Sequence, residues 1–558
     1  MDDDDEFSEE ESQLSVRISR PSSIERLLPS LHEELQELCL HHAGLDGKSM
    51  APLVQALGSK PRLVKLSLAF NRLQDAGVAT LCPLLPKSHI RYLNLARNHI
   101  TAEGCKALAT GLCEAPELKH LDLSENLCKD EGIIAIAAAL RNKALCSLIL
   151  SKNRMGRAGL AAVAGLVRDS KTIEKVGLYL NGIDHQGAIM LSDALMVNKS
   201  VVELDLGANP LGSNGIFSLA VMLDRNTNLR SLDVRGCEVG YATPVTMKAN
   251  NTTPPATLNR DGETVANVSV EATDRTRDQK LAKRANGVGI SKLCTQMSGT
   301  NYFLQNLLLS FNQLGDREVE LLCHAVAKNR VIKWIAMVNC GISAKAMSYV
   351  AYMVKENKSL TRLDLGLNTI PAKAAKALGA SLRANSSLTA LDLTQCRLGG
   401  GVSFVAESLP QNNTLRQLSL GGNLLEQSHI SDIIHKIKEN SSLEDLGQIV
   451  CRCARCHAKH TKKTVNKWHV IGRPMDHDLV IDGKCKAGQD PKDRELSQGC
   501  LDHILKRNRF KNRMRCREAF VQGLHPRLGK DATLRSILGP SSIMDKEMLH
   551  TIFNYAGH

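Results

Sequence analysis

Leucines recur along this chain at a spacing that no single helix or strand explains. Leu118, Leu121 and Leu123 are followed by Asn126. The same grouping returns as Leu63-Leu66-Leu68-Asn71, Ile90-Leu93-Leu95-Asn98 and Leu360-Leu363-Leu365-Asn368. The alternation across each central pair predicts a short strand, apolar on one face. Such segments begin at Leu35, Leu63, Ile90, Leu118, Leu145, Ile173, Val201 and Leu229, a period of 27 or 28 residues. Between them, stretches such as Ala76–Leu85 and Glu131–Leu140 place apolar residues at helical spacing. Each unit therefore reads as strand, turn, helix, turn. A first helix over about 21–34 is expected to cap the array.

Two further columns follow the period. Asn stands at 71, 98, 126, 153, 181, 209, 312, 368 and 423, and Cys replaces it at 237, 340 and 396. A buried Asn can satisfy turn backbone that has no other partner. Gly recurs six residues later, at Gly77, Gly104, Gly132, Gly159, Gly187 and Gly215, where it allows close approach at a helix start. In later units that place holds Glu318, Ala346, Ala374, Val402 and His429. Between the strands at Leu229 and Leu304 lie 75 residues in place of 28. The excess, about 240–286, is rich in Thr, Asn and charge and lacks apolar periodicity, so it reads as a flexible loop emitted from one repeat. The helix resumes near Gly289–Met297. Strands continue at Leu304, Ile332, Leu360, Leu388 and Leu415, with a degenerate one at Leu443.

Composition changes this picture at the two ends. Net charge is +13, but residues 1–20 hold eight acids against two bases, and residues 447–558 hold 22 Lys and Arg against 11 Asp and Glu. The first segment reads as a disordered acidic tail, the last as a basic extension where an acidic partner should be sought. The 17 Cys are scattered with the repeat and form no small disulfide framework, which indicates reduced thiols in a cytosolic or nuclear compartment. No signal peptide is visible, and no apolar run reaches the roughly 18 residues of a membrane span.

Candidate chemistry is sparse. The helix-free face of the strands, expected to be concave, presents Asp122, Asp205, Asp233, Asp364 and Asp392 with Tyr92, His120, Tyr179 and Trp334. Strand order sets Asp205 beside Asp233 and Asp364 beside Asp392. Acids, small residues and a few aromatics suit a protein partner, although Asp at these places also serves local hydrogen bonding. Gly44-Leu45-Asp46-Gly47-Lys48-Ser49 resembles the end of a phosphate-binding loop, but His42 stands where the first Gly is required. No nucleophile elbow, dinucleotide fingerprint or His-Glu-x-x-His is present. In the extension, Cys451, Cys453, Cys456, His457 and His460 are the one metal candidate. They suit a structural zinc or, read plainly, free thiols in a basic turn. Lys506–Arg517 is a basic amphipathic stretch of the kind that binds calmodulin, nucleic acid or anionic lipid, or is simply a docked helix with a solvated face.

The L-x-x-L-x-L-x-x-N segments and their period resemble leucine-rich-repeat proteins of the ribonuclease-inhibitor-like subfamily, over about 35–446. The resemblance implies an α/β solenoid, a horseshoe with a parallel concave sheet and outer helices, here with a small basic C-terminal extension. The domains expected are a disordered acidic tail (1–20), a solenoid (21–446) with its insertion, and the extension (447–558). The function implied is a non-enzymatic scaffold that holds a protein partner on the concave face. One subfamily member, the activator of the Ran GTPase, implies an alternative, a GTPase regulator acting through a loop arginine such as Arg72, Arg97 or Arg154. A third alternative is a zinc-stabilised tail for nucleic acid or calmodulin carried on a repeat spacer.

Overall fold

A single repeat has too little apolar surface to fold alone, so each strand and helix is buried against its neighbours. The computed structural model of the protein describes residues 15–18, 28–240, 287–299, 301–423 and 425–446, which divide between two compact units, Met1–Ile370 and Pro371–His558. The first unit carries β1 (Ser15–Ile18), β2 (Glu37–Leu40), β3 (Lys65–Ser67), β4 (Tyr92–Asn94), β5 (His120–Asp122) and β6 (Ser147–Ile149). It continues with β7 (Lys175–Gly177), β8 (Glu203–Asp205), β9 (Ser231–Asp233), β10 (Asn306–Leu308), β11 (Trp334–Ala336) and β12 (Arg362–Asp364). Each strand pairs in parallel with the next in sequence. In the second unit, β13 (Ala390–Asp392) pairs in parallel with β14 (Gln417–Ser419). The degenerate strand expected at Leu443 is reduced to one bridge, Gln417 to Asp445.

The central leucines of the strands, such as Leu66, Leu93 and Leu121, are buried under the helices. The helices Ala102–Glu114, Lys129–Leu140, Arg157–Asp169 and His185–Val197 match the helical spacing read from the sequence. The helix expected over Ala76–Leu85 is shorter. It runs Gln74–Leu81 and tightens to a 3-10 turn over Cys82–Lys87, because Pro83 and Pro86 cannot donate to the helical ladder. β9 pairs directly with β10, Ser231 against Asn306, so the excess residues leave the sheet register undisturbed.

Asn126 shows what the buried Asn column does. Its Nδ2 donates to the carbonyls of Leu123 (2.9 Å) and Leu95 (3.0 Å), one in its own repeat and one in the repeat before. Its Oδ1 accepts from the N–H groups of Asn98 and Ile100, both at 3.0 Å. Cys237 and Cys340 keep the donor half of this role, with Sγ donating to Leu206 O (3.2 Å) and Leu309 O (3.3 Å). Burial pushes both thiols up to about 12, which keeps that proton in place. The glycine column reflects close packing on neighbouring helix starts. A Cβ at Gly132 would meet Cys105 Cβ at 2.8 Å, and one at Gly187 would meet Leu160 Cδ2 at 2.6 Å. At Gly159 the neighbour is an acid, Asp130, whose Oδ1 accepts from the Gly159 N–H (2.9 Å) and would lie 2.7 Å from an added Cβ.

A second amide column went unread in the sequence. Asn198, Asn226, Asn301, Asn329 and Asn357 in the first unit, and Asn385, Asn412 and Asn440 in the second, sit where helix turns to strand. Asn357 Nδ2 donates to Val326 O at 2.6 Å and Asn329 O at 2.9 Å, while its Oδ1 accepts from Leu360 N at 2.6 Å.

The disordered reading of residues 1–20 is corrected in part. Ser15–Ile18 is a strand paired to β2, because Val16 and Ile18 extend the apolar alternation and leave no open edge at β2. Of the expected capping helix, the described residues hold only a 3-10 turn at Leu28–Ser30. The insertion, the Cys451–His460 cluster, the Lys506–Arg517 stretch and the rest of the 447–558 extension lie outside the described residues.

The amide column gives a first prediction. Asn153 is fully buried and donates to Leu123 O (2.9 Å) and Leu150 O (3.1 Å). Asn153→Ala should cost about 3 kcal/mol in urea unfolding, since it leaves buried carbonyls unpaired. Asn153→Cys should cost distinctly less, because a thiol still donates; equal losses would overturn this account.

Candidate functional site

In each strand the residues flanking the central leucine point away from the helices, so the register sets them in columns across the sheet. The first column includes Lys65, Tyr92, His120, Lys175, Glu203, Trp334 and Arg362. The second includes Asn94, Asp122, Asp205, Asp233 and Asp364. The residues singled out in the first unit therefore do share one face. They fall into three groups along it.

Near β3–β5, Lys65 pairs Glu37 at 3.1 Å and lies 5.7 Å from the centre of the Tyr92 ring. Tyr92 packs against His120 at 5.9 Å, and burial raises its phenol above the ordinary range. Next to them, Asp122 Oδ1 accepts from Ser124 N (2.9 Å) and Ser124 Oγ (2.5 Å). Burial raises the Asp122 carboxyl as well.

At β7–β9 the pairing of two acids is observed, Asp205 directly opposite Asp233. A residue not singled out in the sequence joins them. Arg235 Nε donates to both oxygens of Asp233, at 2.9 and 2.7 Å, and its guanidinium is three-quarters buried. Burial and then the charge of Asp233 push Asp205 up to about 6. The signal for Arg235 was present: its place in most other repeats holds a small residue, such as Ala69, Ala96, Ser124 or Gly207, and Tyr179 is another large side chain there. Tyr179 lines the same group, and a Cβ on Gly207 would strike its ring at 2.8 Å.

At β11–β12, Trp334 Nε1 donates to Asp364 Oδ2 (2.8 Å), and the Arg362 guanidinium lies 4.5 Å over the indole while Nε donates to the same carboxylate. The half-buried indole is thus held by a cation over its ring and a carboxylate at its N–H. Asp392, in the second unit, accepts from Thr394 N at 2.8 Å.

One motif runs through these acids. Asp122, Asp205, Asp233 and Asp392 each accept the N–H two residues on, at 2.8–3.0 Å, as Asn94 does for Ala96 at 2.9 Å. The bond closes the turn at the strand end. The local reading of these aspartates accounts for their recurrence, and their charge is a surplus over that role.

A row beyond the strands was also unread. Phe70, Arg97, Glu125, Lys152 and Leu180 occupy one turn position in successive repeats, all with left-handed backbone. Arg97 stacks 4.9 Å over Phe70 and bonds Glu125; Lys152 bonds Glu125 at 3.0 Å and lies 5.9 Å from the Tyr179 ring. All three loop arginines are exposed, and Arg97 alone among them makes a salt bridge with a described residue. The loop at Gly47–Ser49 is closed by Asp46, whose Oδ1 accepts from Lys48 N and Ser49 N, as befits a repeat turn. Among the described residues no group of three or more His, Cys, Asp or Glu is placed to hold a metal ion, and no helix is long and apolar enough to cross a membrane.

Comparison with known proteins agrees with this architecture. The family described as Leucine Rich repeat matches residues 61–82, 87–109, 197–220, 225–242, 356–379 and 384–401. The chain is similar to the ribonuclease inhibitor of Mus musculus, 30% identical over 220 residues, 33% of this chain and 48% of that protein. It is similar to the ribonuclease inhibitor of Sus scrofa at 27% over 60% of this chain and 71% of that protein. A third relative, the NACHT, LRR and PYD domains-containing protein 14 of Mus musculus, is 27% identical over 60% of this chain and 27% of its own length. The chain thus spans under half of the length of two of these three relatives.

The raised Asp205 carboxyl makes a measurable pH signature. Its proton is held more tightly in the folded chain than in the unfolded one, where the carboxyl titrates near 3.8. The penalty for ionising it is absent below about pH 4, grows between about 4 and 6, and is full above 6. Asp205→Asn keeps the turn bond, as Asn94 shows, and removes the charge. It should raise stability by about 2 kcal/mol at pH 8 and by nothing at pH 4, read from urea midpoints across pH. A gain that does not change with pH would refute the assignment.

Proposed function

We infer, for a chain that is a leucine-rich-repeat protein of the ribonuclease-inhibitor-like subfamily, that its task is non-enzymatic binding of a protein partner on the helix-free face of the sheet. Proteins of this repeat class mediate protein–protein interaction, and the finer assignment of the surface is our own. The observation that carries it is the group Trp334, Arg362 and Asp364. A half-buried indole is fixed by a cation over its ring and a carboxylate at its N–H. Trp and Arg dominate the energetics of protein interfaces, and a side chain already held in place loses little entropy on binding. Tyr179 repeats the arrangement in weaker form under Lys152.

The face between these two aromatics supports the same reading. Leu180 is 48% exposed and Phe311 40%, and between them the same turn row holds Ala208 and Gly236. Two apolar walls thus flank a low floor, with the Asp205–Asp233–Arg235 group beside it. A partner that sets an apolar side chain between the walls and a cation toward Asp205 would complement both features.

The experiment uses the full chain as bait in lysate of its source cell. Trp334→Ala and Tyr179→Ala should each lower retention of a directly bound protein by about tenfold, whereas Arg168→Ala on a helix should leave it unchanged. Equal retention by all three variants sinks the assignment of the face. Stimulated GTP hydrolysis by a captured G protein, lost on Arg72→Ala or Arg154→Ala with folding intact, would instead identify the regulator alternative.

A further inference from the structure

Parallel strands give a repeat array two chemically different edges, one where strands start and one where they end. On the strand-start edge, the segments leading into β3–β6 carry Lys60, Arg62, Arg91, Lys119, Arg141 and Lys143, all exposed or half-buried. The acids beside them are Glu33, Glu34, Glu114 and Glu117. Glu34 pairs Arg62, and Glu117 pairs both His89 and Arg91. Lys119 donates to Ala144 O at 3.2 Å and Lys143 to Ala115 O at 3.0 Å, so each ammonium also serves a carbonyl of a helix-to-strand connection. Each keeps further N–H donors, since an ammonium has three. Lys60 and Arg141 make no salt bridge with a described residue. Over the same repeats the strand-end edge is closer to balanced, with Asp46, Asp75, Glu103, Asp130 and Glu131 against Lys48, Arg72, Lys106 and Lys129.

β1 decides which edge receives the most acidic stretch of the chain. It runs parallel to β2, with Ser15 opposite Glu37. Ser15 therefore stands at the strand-start edge, and the residues before it are delivered there. They include Asp2, Asp3, Asp4, Asp5, Glu6, Glu9, Glu10 and Glu11. Asp2 lies thirteen residues before Ser15. A coil of that length would have a root-mean-square span of about 20 Å, and strands lie about 4.8 Å apart, so the edge from β2 to about β6 is within reach.

We propose that residues 2–11 dock on the strand-start edge beside β2–β6, against Lys60, Arg62, Lys119 and Lys143, and shield that edge from other polyanions. The contact is electrostatic and exposed, so it weakens with ionic strength and yields to a competing anion. It is independent of the helix-free face and of any partner bound there.

A carbodiimide couples carboxylates to amines in direct contact, which suits the full chain. Mass spectrometry of the coupled protein at low salt should find Asp2–Glu11 joined to Lys60, Lys119 and Lys143 at least about fivefold more often than to Lys48 and Lys129 on the other edge, with the excess lost in about 0.5 M NaCl. Equal coupling to both edges, or coupling indifferent to salt, overturns the proposal. A mixture of isotopically light and heavy chains separates coupling within a chain from coupling between copies; links mainly between copies overturn the intrachain contact. A variant with the eight acids changed to Asn or Gln should elute later from immobilised heparin than the unchanged chain. No change in elution would show that the edge is not shielded.

Discussion

Buried backbone is the constraint on which this structure depends. After each strand the chain turns inside a stack of repeats, where its carbonyls and N–H groups have neither a ladder partner nor water. One side-chain amide per repeat answers this, donating to two carbonyls and accepting from two N–H groups of the preceding repeat. The bonds run between repeats, so the amide joins one layer to the next and fixes their register. Leucine burial supplies the driving force, but it is non-directional and would tolerate a slip that the amides do not. Where Cys replaces Asn, the raised thiol keeps the donor and gives up much of the acceptor, which makes those junctions the simpler ones.

The helix-free face obeys the same economy of polar groups. Its aspartates look like ligands in the sequence, yet Asp122, Asp205, Asp233 and Asp392 each close their own turn before they can serve anything else. What distinguishes the face is the surplus laid over this local chemistry: a second acid beside one guanidinium, and an indole gripped by Arg362 and Asp364. These departures are confined to a few repeats, which is how a periodic scaffold marks a place along its length.

Much of this was legible from the sequence, because period, leucine spacing, the first Asn column and the Gly column are each fixed by local geometry. The strand starts, the direct pairing of β9 with β10 and the close approach at Gly132 and Gly159 follow from it. The second Asn column was equally periodic, yet it was overlooked because it lies outside the leucine motif and begins only at Asn198. The left-handed row at Phe70, Arg97, Glu125 and Lys152 was hidden for another reason: no residue type marks it, since the neighbouring repeats rather than the side chain impose the conformation. Arg235 shows the limit of pattern reading. Its importance comes from a neighbour opposite Asp205 across the sheet, which a list of exposed positions does not weigh. β1 was concealed by composition, four strand residues set directly after an acidic run.

The undisturbed register across the long insertion has a wider meaning. Hydrogen bonding between β9 and β10 proceeds as if Gly240 and Gly287 were joined by an ordinary turn. The entropy of closing such a loop grows only logarithmically with its length, so the sheet is nearly blind to how many residues are spliced there. That junction is therefore a port in an otherwise periodic scaffold, where new sequence can be exchanged without renegotiating the fold on either side.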